Sequence, residues 1–291
     1  MTIYRNKKGR ESLLKTTSAL LAKLPCEGKE HLLDTNSGKA YCLELGVKGR
    51  PKIVLVHGGY TNHSFILYYL RGLIDKFHIF AIDLPGHPGK SSETVLDPRG
   101  NSYGEWLVEV VDKLRIDKAT FLGLSYGGFV CQRLAAIKPE VVEKVILIVS
   151  AGLCSMNQIS LVKNLMFPQI FFGLTKKERF LHKMMNALFT DYDDDLVLDF
   201  FRDMLLYVKT DQRQMRLSRP EEFEGFNNPV MLITAENDVV FDFRRQTRAA
   251  QKLFSNIECH NLLGEKHSPS VTEKGRDHVY KLITYFIEKD S

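Results

Sequence analysis

Short apolar runs bounded by turn residues alternate along this chain with longer amphipathic segments. The clearest runs are KIVLVHGG (Lys52 to Gly59), HIFAIDLPG (His78 to Gly86), ATFLGLS (Ala119 to Ser125), KVILIVSAG (Lys144 to Gly152) and VMLITAEND (Val230 to Asp238). Each is rich in Val, Ile, Leu or Phe without polar alternation, as expected of parallel strands buried on both faces. KAYCLELG (Lys39 to Gly46) reads as an edge strand before them and NIECHNLLG (Asn256 to Gly264) as a last strand. Between the runs lie helical patterns. SYGEWLVEVVDKL (Ser102 to Leu114) puts Trp106, Leu107, Val110, Val111 and Leu114 on one face and Glu105, Glu109 and Asp112 on the other. YGGFVCQRLAAIKP follows Ser125 and is ended by Pro139, while FRRQTRAAQKLF and TEKGRDHVYKLITYFIEK read as two later helices. Strands alternating with helices predict an α/β fold: a mostly parallel twisted sheet flanked by helices.

The segment from about Leu153 to Arg219 breaks the rhythm. It has no clear strand, is rich in Phe, Met and Leu, and carries an acidic run at Asp191, Asp193, Asp194 and Asp195. Lying between two strand patterns, it predicts a helical cap at 153–219 inserted into a core formed by 1–152 and 220–291. The acids read as a solvated helix end, and Phe167, Phe171, Phe172 and Phe189 as core residues that can also supply an acyl pocket.

Composition narrows the classes. At 291 residues and 44% hydrophobic, the chain can bury a full core. Its net charge of +5 is spread out, without the basic block a nucleic-acid partner would need. Five cysteines (Cys26, Cys42, Cys131, Cys154 and Cys259) show no C-x-x-C pair, so reduced thiols and a cytoplasmic setting are expected rather than a disulfide framework or a zinc site. The basic N-terminus leads into ESLLKTTSALLAKL, which Lys15, Thr16, Thr17 and Lys23 interrupt, so no signal-peptide core is read. LVKNLMFPQIFFGL from Leu161 is too short and too interrupted for a membrane span.

Chemistry enters at FLGLSYGGF. Gly-x-Ser-x-Gly alone is weak, but here an apolar strand ends at Leu124 and a helix pattern starts directly after Ser125. So sharp a turn lifts a hydroxyl above the carboxyl edge of the sheet, and Gly123 and Gly127 let strand and helix approach. A serine hydroxyl is a poor nucleophile at neutral pH and needs a base, itself oriented by a third group. Two later loops supply them: GEKHSP puts His267 before the final helix, and TAEND puts Asp238 just after a buried strand. Glu236 and Asp242 are neighbouring acids that could serve instead of Asp238.

HGG after one strand, DLPGHPGKS after the next, GLSYGG at the turn, END and EKHSP resemble, in this order, the α/β-hydrolase fold superfamily. Through YGEWLVEVVDKLRIDKATFLGLSYGG the chain is most similar to bacterial carboxylesterases of the type that hydrolyse arylpropionic esters. The resemblance implies a serine hydrolase that cleaves a small-molecule carboxylic ester by two-step acyl transfer through Ser125, His267 and Asp238. It implies an oxyanion hole from the backbone N–H groups of Gly59 and Tyr126, and neither metal nor organic cofactor. His57 reads as orienting the oxyanion loop and Asp83 as anchoring the DLPGHPG turn that also holds His87, while His63, close behind the HGG loop, reads either as a substrate contact or, in preference, as the solvated start of the next helix. Thioester, lactone and carbon–carbon bond hydrolysis share this machinery. A hydrolase-fold ligand sensor with slow turnover is the alternative from another class.

Overall fold

The computed structural model describes residues 2–192, 194–211, 213–268 and 273–289. Within them the chain begins with α1 (Lys7–Leu21), β1 (Lys29–Thr35), β2 (Gly38–Gly46), β3 (Lys52–Val56), α2 (His63–Tyr69) and β4 (His78–Ile82). It continues with α3 (Ser102–Lys113), β5 (Ala119–Leu124), α4 (Tyr126–Ile137) and β6 (Val142–Ile148). A helical stretch follows: α5 (Gln158–Leu161), one π turn (Val162–Met166), α6 (Phe167–Thr175), α7 (Glu178–Leu188) and α8 (Asp195–Tyr207). The last elements are β7 (Val230–Ala235), α9 (Phe243–Leu253), β8 (Ile257–Leu262) and α10 (Glu273–Glu288). Pro269 and Thr272, which the sequence patterns included, and Asp193 of the acidic run lie outside the described residues.

The described strands form one eight-stranded sheet in the order β1-β2-β4-β3-β5-β6-β7-β8. β3 to β8 run parallel, while β2 is antiparallel to both β1 and β4. The period of two sorts the buried side chains into two layers. Ile53, Leu55, Leu122, Ile146, Ile148, Met231 and Ile233 pack with α2 and α10, whereas Val54, Val56, Phe121, Val145, Leu147, Val230 and Leu232 pack with α3, α4 and α9. Both faces are thus covered, which is why these runs show no polar alternation.

KAYCLELG is not the edge. β1 pairs outside it, from Lys29↔Glu44 to Thr35↔Gly38. As the edge strand, β1 buries none of its seven residues fully, so KEHLLDT carried no strong apolar signal. The N-terminal segment also has a place in the fold. The Arg5 N–H donates to the Tyr207 carbonyl at 2.7 Å, and the Lys209 N–H to the Ile3 carbonyl at 2.8 Å, tying the chain start to the exit of α8. No described helix is long and apolar enough to cross a membrane.

Candidate active site

Ser125 occupies the single residue between β5 and α4, at φ 50° and ψ −109°. Non-glycine residues avoid positive φ, so the surrounding structure must enforce this geometry. Hydrogen bonds do so from both sides: the Ser125 N–H donates to the Ile148 carbonyl at 2.8 Å, and its own carbonyl accepts from Gly128 and Ala151 at 3.0 Å each. A Cβ on Gly127 would overlap the Val56 carbonyl, and one on Gly123 would overlap the Gly127 backbone. These two glycines allow helix and sheet to close around the serine.

The loops after β7 and β8 bring Asp238 and His267 to the same spot. His267 Nε2 lies 3.1 Å from Ser125 Oγ, and His267 Nδ1 lies 2.9 Å and 3.1 Å from the two Asp238 carboxylate oxygens. Asp238 Oδ1 also accepts the N–H groups of Val240 at 2.7 Å and Phe241 at 3.2 Å, which fixes the carboxylate plane. The Asp238 side chain is buried, and His267 keeps only a small exposed edge. The rival acids are engaged elsewhere. Asp242 accepts the Arg245 N–H at 2.8 Å as the N-cap of α9, and Glu236 accepts the Gly264 N–H at 2.9 Å.

The histidine loop is held by a contact with no signature in the sequence. The Ser268 N–H donates to the Leu188 carbonyl at 2.7 Å, and the Lys266 N–H to the Thr190 hydroxyl at 2.9 Å. The end of α7 therefore sets the position of His267.

Gly59 and Tyr126 stand face to face, a Cβ built on Gly59 falling 3.6 Å from that of Tyr126. Neither backbone N–H has an acceptor among the described residues, and Tyr126 opens α4, where first-turn N–H groups have no helical partner. Behind them His57 is fully buried; its Nδ1–H donates to the Gly58 carbonyl at 2.7 Å and its Nε2 accepts the Leu84 N–H at 2.9 Å. Burial pushes its pKa down to about 4, so the ring is neutral and ties the Gly58–Gly59 loop to the end of β4. His87 stacks on Tyr60 at 5.7 Å and approaches Tyr126 at 5.0 Å, and burial pushes its pKa down to about 3.

His63 differs from the sequence expectation. It does start α2, but it is completely buried rather than solvated. The cause is Asp83, whose Oδ1 accepts both the His63 N–H at 2.7 Å and Nδ1 at 2.8 Å. Asp83 Oδ2 accepts the Lys90 N–H at 2.7 Å, fastening the DLPGHPG turn. Burial alone would raise the Asp83 pKa, but the His63 charge and hydrogen bond outweigh it and hold the carboxyl below its ordinary range.

A cavity of about 370 Å³ opens over Ser125 and His267. Its floor is Gly58 to Thr61 and Leu124 to Tyr126, and its roof comes from the stretch between Met156 and Met215. Five methionines (Met156, Met166, Met184, Met204 and Met215) line it. Of the four phenylalanines singled out in the cap sequence, Phe172 and Phe189 are buried but Phe167 and Phe171 are exposed, and none of these four lines the cavity, whereas Phe201 of α8 does. Unbranched methionine side chains give this wall an adaptable apolar surface.

Comparison with known proteins agrees with this architecture. A model of the alpha/beta hydrolase family matches residues 53–279. The uncharacterized carboxylesterase nap of Bacillus subtilis (strain 168) is 24% identical over 272 residues, spanning 89% of this chain and 87% of that protein. The crystal structure of naproxen esterase (carboxylesterase NP) from Bacillus subtilis superposes with a TM-score of 0.81 at 19% identity, covering 98% of this chain and 100% of the other. A hydrolase structure from the same organism gives 0.82 at 19% identity, over 97% and 100%.

Proposed function

The chain belongs to the alpha/beta hydrolase family, and from that premise we propose that it hydrolyses a carboxylic ester with Ser125 as nucleophile, His267 as general base and Asp238 as the group that orients the imidazole. The observation that carries this reading is the continuous relay from Asp238 through His267 Nδ1 and Nε2 to Ser125 Oγ, with no contact longer than 3.1 Å. Asp238 accepts the Nδ1 proton, so Nε2 is left with a lone pair facing the hydroxyl. As Ser125 attacks, its proton passes to Nε2, and the carbonyl oxygen becomes negative. The N–H groups of Gly59 and Tyr126 receive that charge, each contributing about 3 kcal/mol. The dipole of α4 points its positive end at the same oxygen. His267 then protonates the leaving alkoxide, and a water repeats the sequence on the acyl-serine. These steps use side chains, backbone N–H groups and water.

The 153–219 segment acts as the cap over a core of 1–152 and 220–291, and its methionines favour an apolar acyl or alcohol group. Small esters of hydrophobic acids, the substrate class suggested by the relatives, fit that wall. Ser125→Ala should lower kcat on p-nitrophenyl butyrate on the order of a thousandfold or more while leaving the urea unfolding midpoint near that of the native chain. Undiminished turnover in that variant would remove Ser125 from the mechanism.

A further inference from the structure

We infer that the outward face of the helical run from Gln158 to Thr175 is a docking surface for an anionic lipid bilayer. Ile159, Val162, Met166, Ile170 and Leu174 recur at intervals of three or four residues, which places them on one side of a helix. All are exposed, Ile159 to 84% and Leu174 to 76%, and Phe167 beside them is 54% exposed. Bulky apolar residues scattered singly on a surface need no explanation, but six contiguous on one helix mark an interaction site.

Charge selects the occupant. From Leu153 to Lys177 the chain has no Asp or Glu, while Lys163, Lys176 and Lys177 are exposed. The next residue, Glu178, is committed to Arg202 at 3.0 Å, and Arg179 and Lys183 beyond it are also exposed. An apolar stripe beside lysines, without an acid among them, complements a surface of acyl chains under anionic headgroups. A second copy of the chain fits less well. A two-fold contact would bring these lysines against each other with no acid in the run from Leu153 to Lys177 to pair them, Glu178 being engaged by Arg202. Met166 is both part of the exposed stripe and a lining residue of the cavity, so a docked bilayer would lie beside the cavity wall. The inference concerns the outer face alone and holds whether or not Ser125 is the nucleophile.

The test is co-sedimentation of the full chain with vesicles of phosphatidylcholine, alone or mixed with phosphatidylglycerol. Binding to the mixed vesicles should be at least about tenfold tighter than to phosphatidylcholine alone and should weaken with added salt. The double variant Ile170→Asp/Leu174→Asp should lose about tenfold or more of that binding, with circular dichroism and hydrolysis of a water-soluble ester unchanged. The variant Lys163→Glu/Lys176→Glu/Lys177→Glu, which leaves the apolar stripe intact, should lose the preference for phosphatidylglycerol. Running Ser125→Ala alongside separates the surface from the chemistry, since that variant should bind as the native chain does. Equal binding to both vesicle types, binding to neither, or unchanged binding by the aspartate variant would overturn the inference. So would a concentration-dependent dimer that the aspartate variant dissolves, which would assign the face to a second copy.

Discussion

Asp238 Oδ1 is pinned by two backbone N–H groups, from Val240 and Phe241, while Oδ2 makes the shorter contact, 2.9 Å, to His267 Nδ1. This asymmetry dictates what Asp238→Asn would do. The amide oxygen would stay with the backbone donors, leaving the NH₂ group facing Nδ1. Nδ1 would then have to accept, the ring proton would move to Nε2, and His267 could no longer take a proton from Ser125. We expect kcat on p-nitrophenyl butyrate to fall by about 10³ to 10⁴ with the fold intact, measured by steady-state kinetics and circular dichroism. The same residues show what the sequence could and could not disclose. Ser125 was legible because its motif directly follows the fully buried strand β5, whereas His267 follows the half-buried β8, IECHNL, and stood out only through the GEKHSP loop before the last helix pattern. Among Glu236, Asp238 and Asp242 the residues alone do not decide, and only the family resemblance of END favours Asp238, because the choice depends on the turn geometry after β7. His63 was misread because a histidine at a helix start is usually solvated, and nothing local announces the Asp83 carboxylate buried twenty residues away.

At the scale of elements, what was legible followed burial. Strands covered on both faces announce themselves as apolar runs, and α3 and α4 by their spacing or their terminating proline. β1 and α1 did not, for opposite reasons. β1 lies at an edge, and α1 buries a partly polar face in which Thr16 and Thr17 stand beside Leu13 and Leu20. That face is satisfied by partners distant in sequence: the Ser12 hydroxyl donates to Asp203 of α8 at 2.6 Å, and the Thr17 hydroxyl accepts from the Asn62 side chain at 2.8 Å. Asn62 is also the N-cap of α2, accepting from the Ser64 N–H at 3.1 Å and the Phe65 N–H at 3.3 Å, and it lies just beyond the Gly58–Thr61 loop. One buried amide thus joins α1, α2 and the candidate oxyanion loop. Asn62→Ala should cost about 2 kcal/mol, the sum of a lost cap and a lost buried hydrogen bond, read as a lower urea midpoint. It should also reduce kcat more than it raises KM, because Gly59 loses its anchor downstream.

The whole molecule carries its two most strongly depressed histidines next to the candidate site, and their burial makes stability depend on pH. His57 and His87 have folded pKa values pushed down by burial to about 4 and about 3, against an ordinary 6.5. Between pH 6.5 and 4 the unfolded chain therefore binds protons that the folded chain refuses, and stability must fall as pH falls through this window. Above pH 6.5 neither form is protonated at these rings, and their contribution is flat. Asp83 acts in the same direction but lower, since its carboxyl is held below an ordinary 3.8 and its contribution is lost only under strongly acid conditions. At one and a half pH units below the unfolded value, linkage gives about 2 kcal/mol for each ring. Urea unfolding followed by circular dichroism should show a substantially lower free energy at pH 5 than at pH 7.5. His87→Phe keeps an aromatic ring beside Tyr60 and Tyr126 but cannot titrate, and it should remove close to half of that difference. A pH dependence untouched by His87→Phe would place its origin in other groups, and with it the claim that the aromatic packing behind Gly59 and Tyr126 holds this ring neutral.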